Sequence, residues 1–520
     1  VVDRNGNGRL EPGEVDAVAG AFFGSSNIRQ FVDFGVATNP AFTLDTGRGT
    51  TRLDPRTIFV APQDVARART GTAYADLSWT AASGATLRLA AFYDSMNARL
   101  FQSYGFAANY RADLYELRAS VETKAEAFGA DLDLLAGVSW RSARTRSLQT
   151  FLSGYLVVDR RDLSVGPTAG DVFDSPFLET PGGIGWDTDL RSTTTDLAAF
   201  AMLKAERGPV ALLLGGRADR FAAASINTGR TVFNPAYAGR PFDAALFRGA
   251  GEASLTVEVA DGARLYATAA RNNALETNDG GGVEVERIAE RNFVAPSRLV
   301  EAGLKVGRKN FACSLAVYRQ ERTRQDPFGN VDSETSKGVE AEARWLASDR
   351  LSFNGAATLQ ETRVAPPGAC GSGVGEFVVL PPRRAGAPDS DGFGGLFAAL
   401  NASCLPELSA GYKRRTVPRL SASAYATWTA PETAHGAWGA TFGARRVGET
   451  GGKIAGAVRL PSYTLAKAAL FWRRGGVSLT ATADNLFDRR YFIPVQNVYE
   501  EVGALPGRGR EVFITLRAEL

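Results

Sequence analysis

Val339-Glu340-Ala341-Glu342-Ala343-Arg344-Trp345 alternates without a break, with small or apolar side chains at odd positions and charges at even ones. A period of two puts the two classes on opposite faces of an extended strand. The pattern recurs. Ala253, Leu255, Val257 and Val259 stand against Glu252, Ser254, Thr256 and Glu258, and Leu420 to Trp428 alternate with Ser421, Ser423, Tyr425 and Thr427. The final stretch sets Val512, Ile514, Leu516, Ala518 and Leu520 against Phe513, Thr515, Arg517 and Glu519. Charges this regular do not suit the core of a soluble sandwich, whereas a wall between lipid and a wet lumen accommodates both faces. A soluble propeller would need a repeat of roughly 40 residues, and none is visible.

The alternation predicts seventeen strands. They fall at about 72–82, 85–97, 110–124, 130–146, 191–206, 209–222, 246–260, 263–275, 297–308, 310–324, 335–347, 351–363, 418–429, 436–449, 461–474, 476–487 and 507–520. Short connections such as Asp261-Gly262 and Gly475-Gly476 alternate with long ones at roughly 147–190, 223–245, 275–296, 364–416 and 487–507. Outer-membrane barrels show this asymmetry, with tight turns on the periplasmic side and extended loops outside. Single-chain bacterial barrels have even strand numbers, so an odd count predicts a piece of a longer barrel in which an odd number of earlier strands is missing. Residues 1–70 then read as an extracellular loop region and 71–520 as barrel.

Composition agrees. In 520 residues, 22% charged and 44% hydrophobic exclude a disordered chain. No apolar run approaches the 18 or so residues of a membrane helix. A net charge of +3 gives no sign of a nucleic-acid binder. One histidine leaves little room for histidine catalysis or a multi-histidine metal site, so no enzyme activity is expected.

Asp484-Asn485-Leu486-Phe487-Asp488-Arg489-Arg490-Tyr491, followed by Pro506-Gly507-Arg508-Gly509-Arg510-Glu511-Val512-Phe513-Ile514-Thr515-Leu516, resembles the closing strands of TonB-dependent outer-membrane receptors. Ser336-Lys337-Gly338-Val339-Glu340 and Pro461-Ser462-Tyr463-Thr464-Leu465 are similar to recurrent strands of the same barrels. The resemblance implies a barrel of 22 strands, of which these would be the last seventeen, filled by an N-terminal plug that this chain lacks. It also implies uptake of a scarce ligand, most often a ferric siderophore, driven by the TonB-ExbB-ExbD system through the plug. Leu520 departs from the family, which usually ends in an aromatic residue. The rival reading is a passive porin of 16 or 18 strands, with a further strand hidden near Phe22, Phe23, Phe31 and Val32.

Asp3-Arg4-Asn5-Gly6-Asn7-Gly8-Arg9-Leu10-Glu11-Pro12-Gly13-Glu14 has the spacing of an EF-hand calcium loop. Asp3, Asn5 and Asn7 would supply side-chain oxygens, Arg9 its carbonyl and Glu14 a bidentate carboxylate, with Gly8 at the sharp turn. Two asparagines lower the site's charge, which predicts weak, structural binding of the extracellular kind. An Asn/Gly-rich turn without metal is the plainer alternative. Cys370 and Cys404 share the longest loop, and a disulfide between them would add about 3–4 kcal/mol in the chain-entropy model. Cys313 lies in a strand and is expected only to pack. His435 reads as a solvated turn residue, and Gly371-Ser372-Gly373-Val374-Gly375 as a flexible loop lacking the lysine of a phosphate loop. Trp79, Trp140, Trp345, Trp428, Trp438 and Trp472 are expected at the membrane interfaces. Glu116, Arg118, Glu122, Glu340 and Arg344 are expected to face the lumen in ion-pair ladders or against a plug. The outer loops carry no pattern that names ligand contacts.

Overall fold

The computed structural model describes residues 65–101, 107–149, 186–229, 235–325, 331–365, 377–379, 397–399, 412–451, 459–494 and 504–519. Its main sheet is an antiparallel meander of seventeen long strands, each paired with its neighbours in sequence. These are β1 Val65–Thr80, β2 Thr86–Phe101, β3 Ala108–Ala127, β4 Ala130–Gln149, β5 Thr188–Arg207, β6 Val210–Asn227, β7 Pro241–Ala260 and β8 Ala263–Leu275. A short helix, α1 Val285–Ala289, precedes β9 Val294–Arg308. Then come β10 Phe311–Gln325, β11 Val331–Ser348, β12 Leu351–Ala365, β13 Leu420–Thr429, β14 Ala437–Val447, β15 Tyr463–Arg474, β16 Val477–Asp484 and β17 Glu511–Ala518. Among the described residues β1 pairs only with β2, and β17 only with β16, so the sheet is not closed.

The register keeps the two faces in phase from strand to strand. Leu315, Ala341, Ala357 and Ala422 follow one another across β10 to β13 on the outer face, and Ala316, Glu340, Thr358 and Ser421 on the inner face. Outward side chains such as Leu470 and Ile514 are 63% and 73% exposed, which in water would be an aggregation surface and in a bilayer is lipid contact.

Several strands outrun the alternation that predicts them. β1 begins at Val65 rather than near 72, and β3, β4 and β5 each reach 20 residues. Beyond the bilayer both faces are wet, so the polarity signal fades while the hydrogen-bond ladder continues. At the short-turn end, Phe128 and Gly129 both have positive φ (55° and 71°), the backbone of the tight hairpin turn whose twist matches the flanking strands. Aromatics gather there: Trp345 stacks on Phe353 with centroids 5.4 Å apart, and Trp428 meets Trp438 edge-on at 5.0 Å. The Trp472 indole N–H donates to the His435 carbonyl at 2.8 Å, so that turn is tied to the girdle rather than merely solvated.

On the inner face, glycines pair with aromatic residues directly across a seam: Gly137 with Phe200, Gly303 with Tyr266, Gly338 with Tyr318, Gly439 with Phe471 and Gly443 with Tyr425. At each of the five, an added Cβ would strike the partner's ring. The rings fill the space that the glycines leave, an arrangement that pins register.

Candidate functional site

The best-packed part of the chain is a loop. Residues 276–293, between β8 and β9, fold inward and lie against the lumen face of β3 to β7. The reading of 275–296 as an extended outer loop is therefore corrected. The run Asn278-Asp279-Gly280-Gly281-Gly282 makes the tip. Asn278 Oδ1 accepts from the amides of Gly280 and Gly282, each at 3.0 Å, and the Asn278 amide donates to the Gly282 carbonyl at 2.8 Å. Gly281 has φ +80°, and Gly280 sits so close to Ser147 and Tyr110 that any side chain there would collide with them. Glycine is required at both positions for different reasons.

The wall receives the loop with hydroxyls. Ser192 Oγ accepts the Val283 amide at 3.1 Å, and Ser225 Oγ donates to the Val283 carbonyl at 2.7 Å. Both backbone groups of the buried Val283 are thereby satisfied, which removes a desolvation cost of about 1–3 kcal/mol each. Around them Val283, Ile288, Phe293 and Val294 of the loop and β9 pack on Phe221, Ala223 and Leu246 of the wall. A nearly buried ion pair, Arg287 to Glu276 at 3.2 Å, ties α1 to the loop's base, where the Glu276 amide donates to the Phe293 carbonyl at 2.9 Å. Arg291 donates to the Ala245 carbonyl on β7 at 2.9 Å.

Glu284 and Glu286 are the carboxyls of this assembly that burial perturbs. Burial pushes the Glu284 carboxyl up to about 7, Glu286 adds to the rise, and the Asn278 side-chain amide, donating at 2.8 Å, and Arg287 oppose it. The residue as a whole keeps some solvent contact, so the desolvation is that of the carboxylate itself. Glu286 is raised too, again chiefly by burial. While the loop is docked, its burial favours the protonated form of Glu284.

Deeper in the lumen the wall is charged. Arg217 reaches Asp219 at 2.6 Å, Asp196 at 3.1 Å and Ser139 at 3.2 Å. Glu116 and Glu122 face the lumen as expected and pair with Arg141 at 3.9 Å and Arg88 at 3.2 Å. Arg118 lies on the same face but 4.7 Å over the Phe200 ring centre, a cation–π contact rather than a rung of an ion-pair ladder. Glu340 and Arg344 share the inner face of β11. Cys313 faces outward and is a free thiol. Asp3, Asn5, Asn7, Arg9 and Glu14, and likewise Cys370 and Cys404, lie outside the described residues.

The sequence reading named no residue of the inward loop, although a signal was there. Leu190, Phe221 and Leu246 are apolar residues in the polar phase of β5, β6 and β7, and a patch of that kind needs a cover.

The fold is that of an antiparallel outer-membrane β-barrel wall, and the family assignment follows. The model of the TonB-dependent receptor-like β-barrel matches residues 13–486, so the chain belongs to that family, whose barrels lie in the outer membrane of Gram-negative bacteria. No curated protein matches in sequence. Among solved structures, the unliganded ferric citrate transporter FecA superposes with a TM-score of 0.63 at 14% identity, covering 88% of this chain and 62% of its own. The siderophore receptor PiuA of Acinetobacter baumannii gives 0.63 at 15%, covering 88% and 65%. BauA, the ferric preacinetobactin receptor of the same organism, gives 0.63 at 12%, covering 90% and 65%. The chain thus spans less than two thirds of the length of these structures.

Proposed function

We propose that this chain is the barrel portion of an active-transport receptor that takes up a scarce ligand, a ferric siderophore in the first instance, with energy delivered through TonB. The observation that carries this reading is the family match over 13–486. It is supported by ferric-ligand receptors among the structural neighbours and by lumen-facing charges that remain accessible, such as Arg88 at 62% and Arg141 at 56%, a surface suited to a seated plug. In this reading a plug and about five further strands complete the transporter, as an upstream segment or a second chain, and the barrel performs no bond chemistry. Calcium at Asp3, Asn5, Asn7, Arg9 and Glu14 and a Cys370–Cys404 bridge are proposed as structural supports of the outer region.

The test uses the whole receptor in cells. Uptake of radiolabelled ferric siderophores is expected to require both this protein and an intact TonB system. Uptake that persists without TonB, together with steady ion conductance in planar bilayers, would establish the porin instead.

A further inference from the structure

Above the lipid belt, the outward face of β3 to β5 turns abruptly basic. Trp140, Leu197 and Phe247 mark the top of the belt on β4, β5 and β7. Arg144 lies four residues beyond Trp140 on the same face, roughly 13 Å along the strand. The register places Arg111, Arg146 and Arg191 side by side across three strands, with Arg144 one outward position below. Three carboxylates share the area: Asp113, Asp189 and, from β7, Asp243. Asp189 is engaged by Arg146 through two hydrogen bonds at 2.9 Å, and Asp113 lies 3.9 Å from Arg111. Among the described residues, neither Arg144 nor Arg191 has a carboxylate within ion-pair distance. A depression of about 500 Å³ lies among these arginines, lined also by the apolar Ala224, Ile226 and Pro241.

Four guanidinium groups outnumber the three carboxylates, and Arg144 and Arg191 are left on an exposed face beside like charges that repel them. Each presents a planar fork of donors matched to a phosphate. The height is that of headgroups, and the apolar lining continues the belt beneath. We propose that this depression binds the phosphorylated headgroup of an outer-leaflet glycolipid, with Arg111, Arg144 and Arg191 on the phosphates and the acyl chains running down the outer wall. The inference rests on the outer-membrane location and is independent of what the lumen transports. The opposite arc differs: on the outer face of β10 and β12, Arg319 pairs with Glu321, and Arg363 with Glu361 at 2.7 Å.

The test is native mass spectrometry of the full receptor in a non-ionic detergent. The probes are bisphosphorylated lipid A, the same lipid stripped of its phosphates, and inorganic phosphate. Lipid A is expected to bind, and the stripped lipid is not. The triple variant Arg111→Gln/Arg144→Gln/Arg191→Gln is expected to bind lipid A roughly a hundredfold more weakly, at about fivefold per arginine. If the triple variant does not fold, each single variant should still show its fivefold loss. Arg271→Gln/Arg298→Gln, on the outer face of β8 and β9, should bind like the parent. Equal binding of the stripped lipid, undiminished binding by folded arginine variants, or displacement of lipid A by an equal concentration of inorganic phosphate would each overturn the assignment.

Discussion

Tyr318 on β10 donates a hydrogen bond to Gln360 Oε1 on β12 at 3.2 Å, reaching across a whole intervening strand. Gly338 pairs with both residues, and a Cβ there would come within 2.6 Å of the Tyr318 hydroxyl oxygen, so the absent side chain is what lets the ring pass. Gly338→Val is expected to expel the ring and destabilise the barrel by about 1–3 kcal/mol. Heat-modifiable mobility in detergent should shift to lower temperature. Adding Tyr318→Ala should recover part of the loss, since the two positions are coupled.

Asn278 organises the tip of the inward loop through two amides and Glu284. Asn278→Ala leaves those amides unbonded in a largely buried turn, which costs about 1–3 kcal/mol per group. Hydrogen exchange across 276–293 should accelerate while exchange in β10 to β12 stays at the parent rate. Uniform acceleration throughout would argue against a local role.

The docked loop should respond to pH. The Glu284 carboxyl titrates near 7 when docked and at an ordinary carboxylate value when released, so docking favours the protonated form. Docking is undiminished below about pH 4.5, and its stability falls as pH rises toward 7. A spin label on the loop should show greater mobility at pH 8 than at pH 5. Glu284→Gln should flatten that difference, and an unchanged difference would place the titration elsewhere.

Calcium at the N-terminal motif should bind weakly, with Kd about 10⁻⁴ to 10⁻³ M as in extracellular modules. Isothermal titration of the full receptor should show that heat lost in Glu14→Gln. Binding that survives the substitution would assign the metal to another site.

The strands were legible because a bilayer and a wet lumen impose two solvents on alternate residues. Val339 to Trp345 could hardly be read otherwise, and all seventeen strands follow from that contrast. It stops at the membrane surface, which is why Val65 to Thr70 read as loop although they pair with β2. The inward loop was hidden for another reason. Asn278 to Gly282 looks the same as any exposed turn, and only the convergence of Ser147, Ser192 and Ser225, distant in sequence, shows where it docks. The five glycine–aromatic joints were equally invisible, since each partner belongs to a different strand and only register brings them together.

In a meander the backbone ladder joins each strand only to its two neighbours, so little besides an occasional side-chain bridge opposes shear along a seam. The loop at 276–293 departs from that rule by gripping β3 through β7 while rooted in β8 and β9. It acts as a brace across six seams and makes this part of the sheet a stiff panel. Any breathing of the wall is left to the remaining strands, β10 to β17, where no such loop occurs among the described residues.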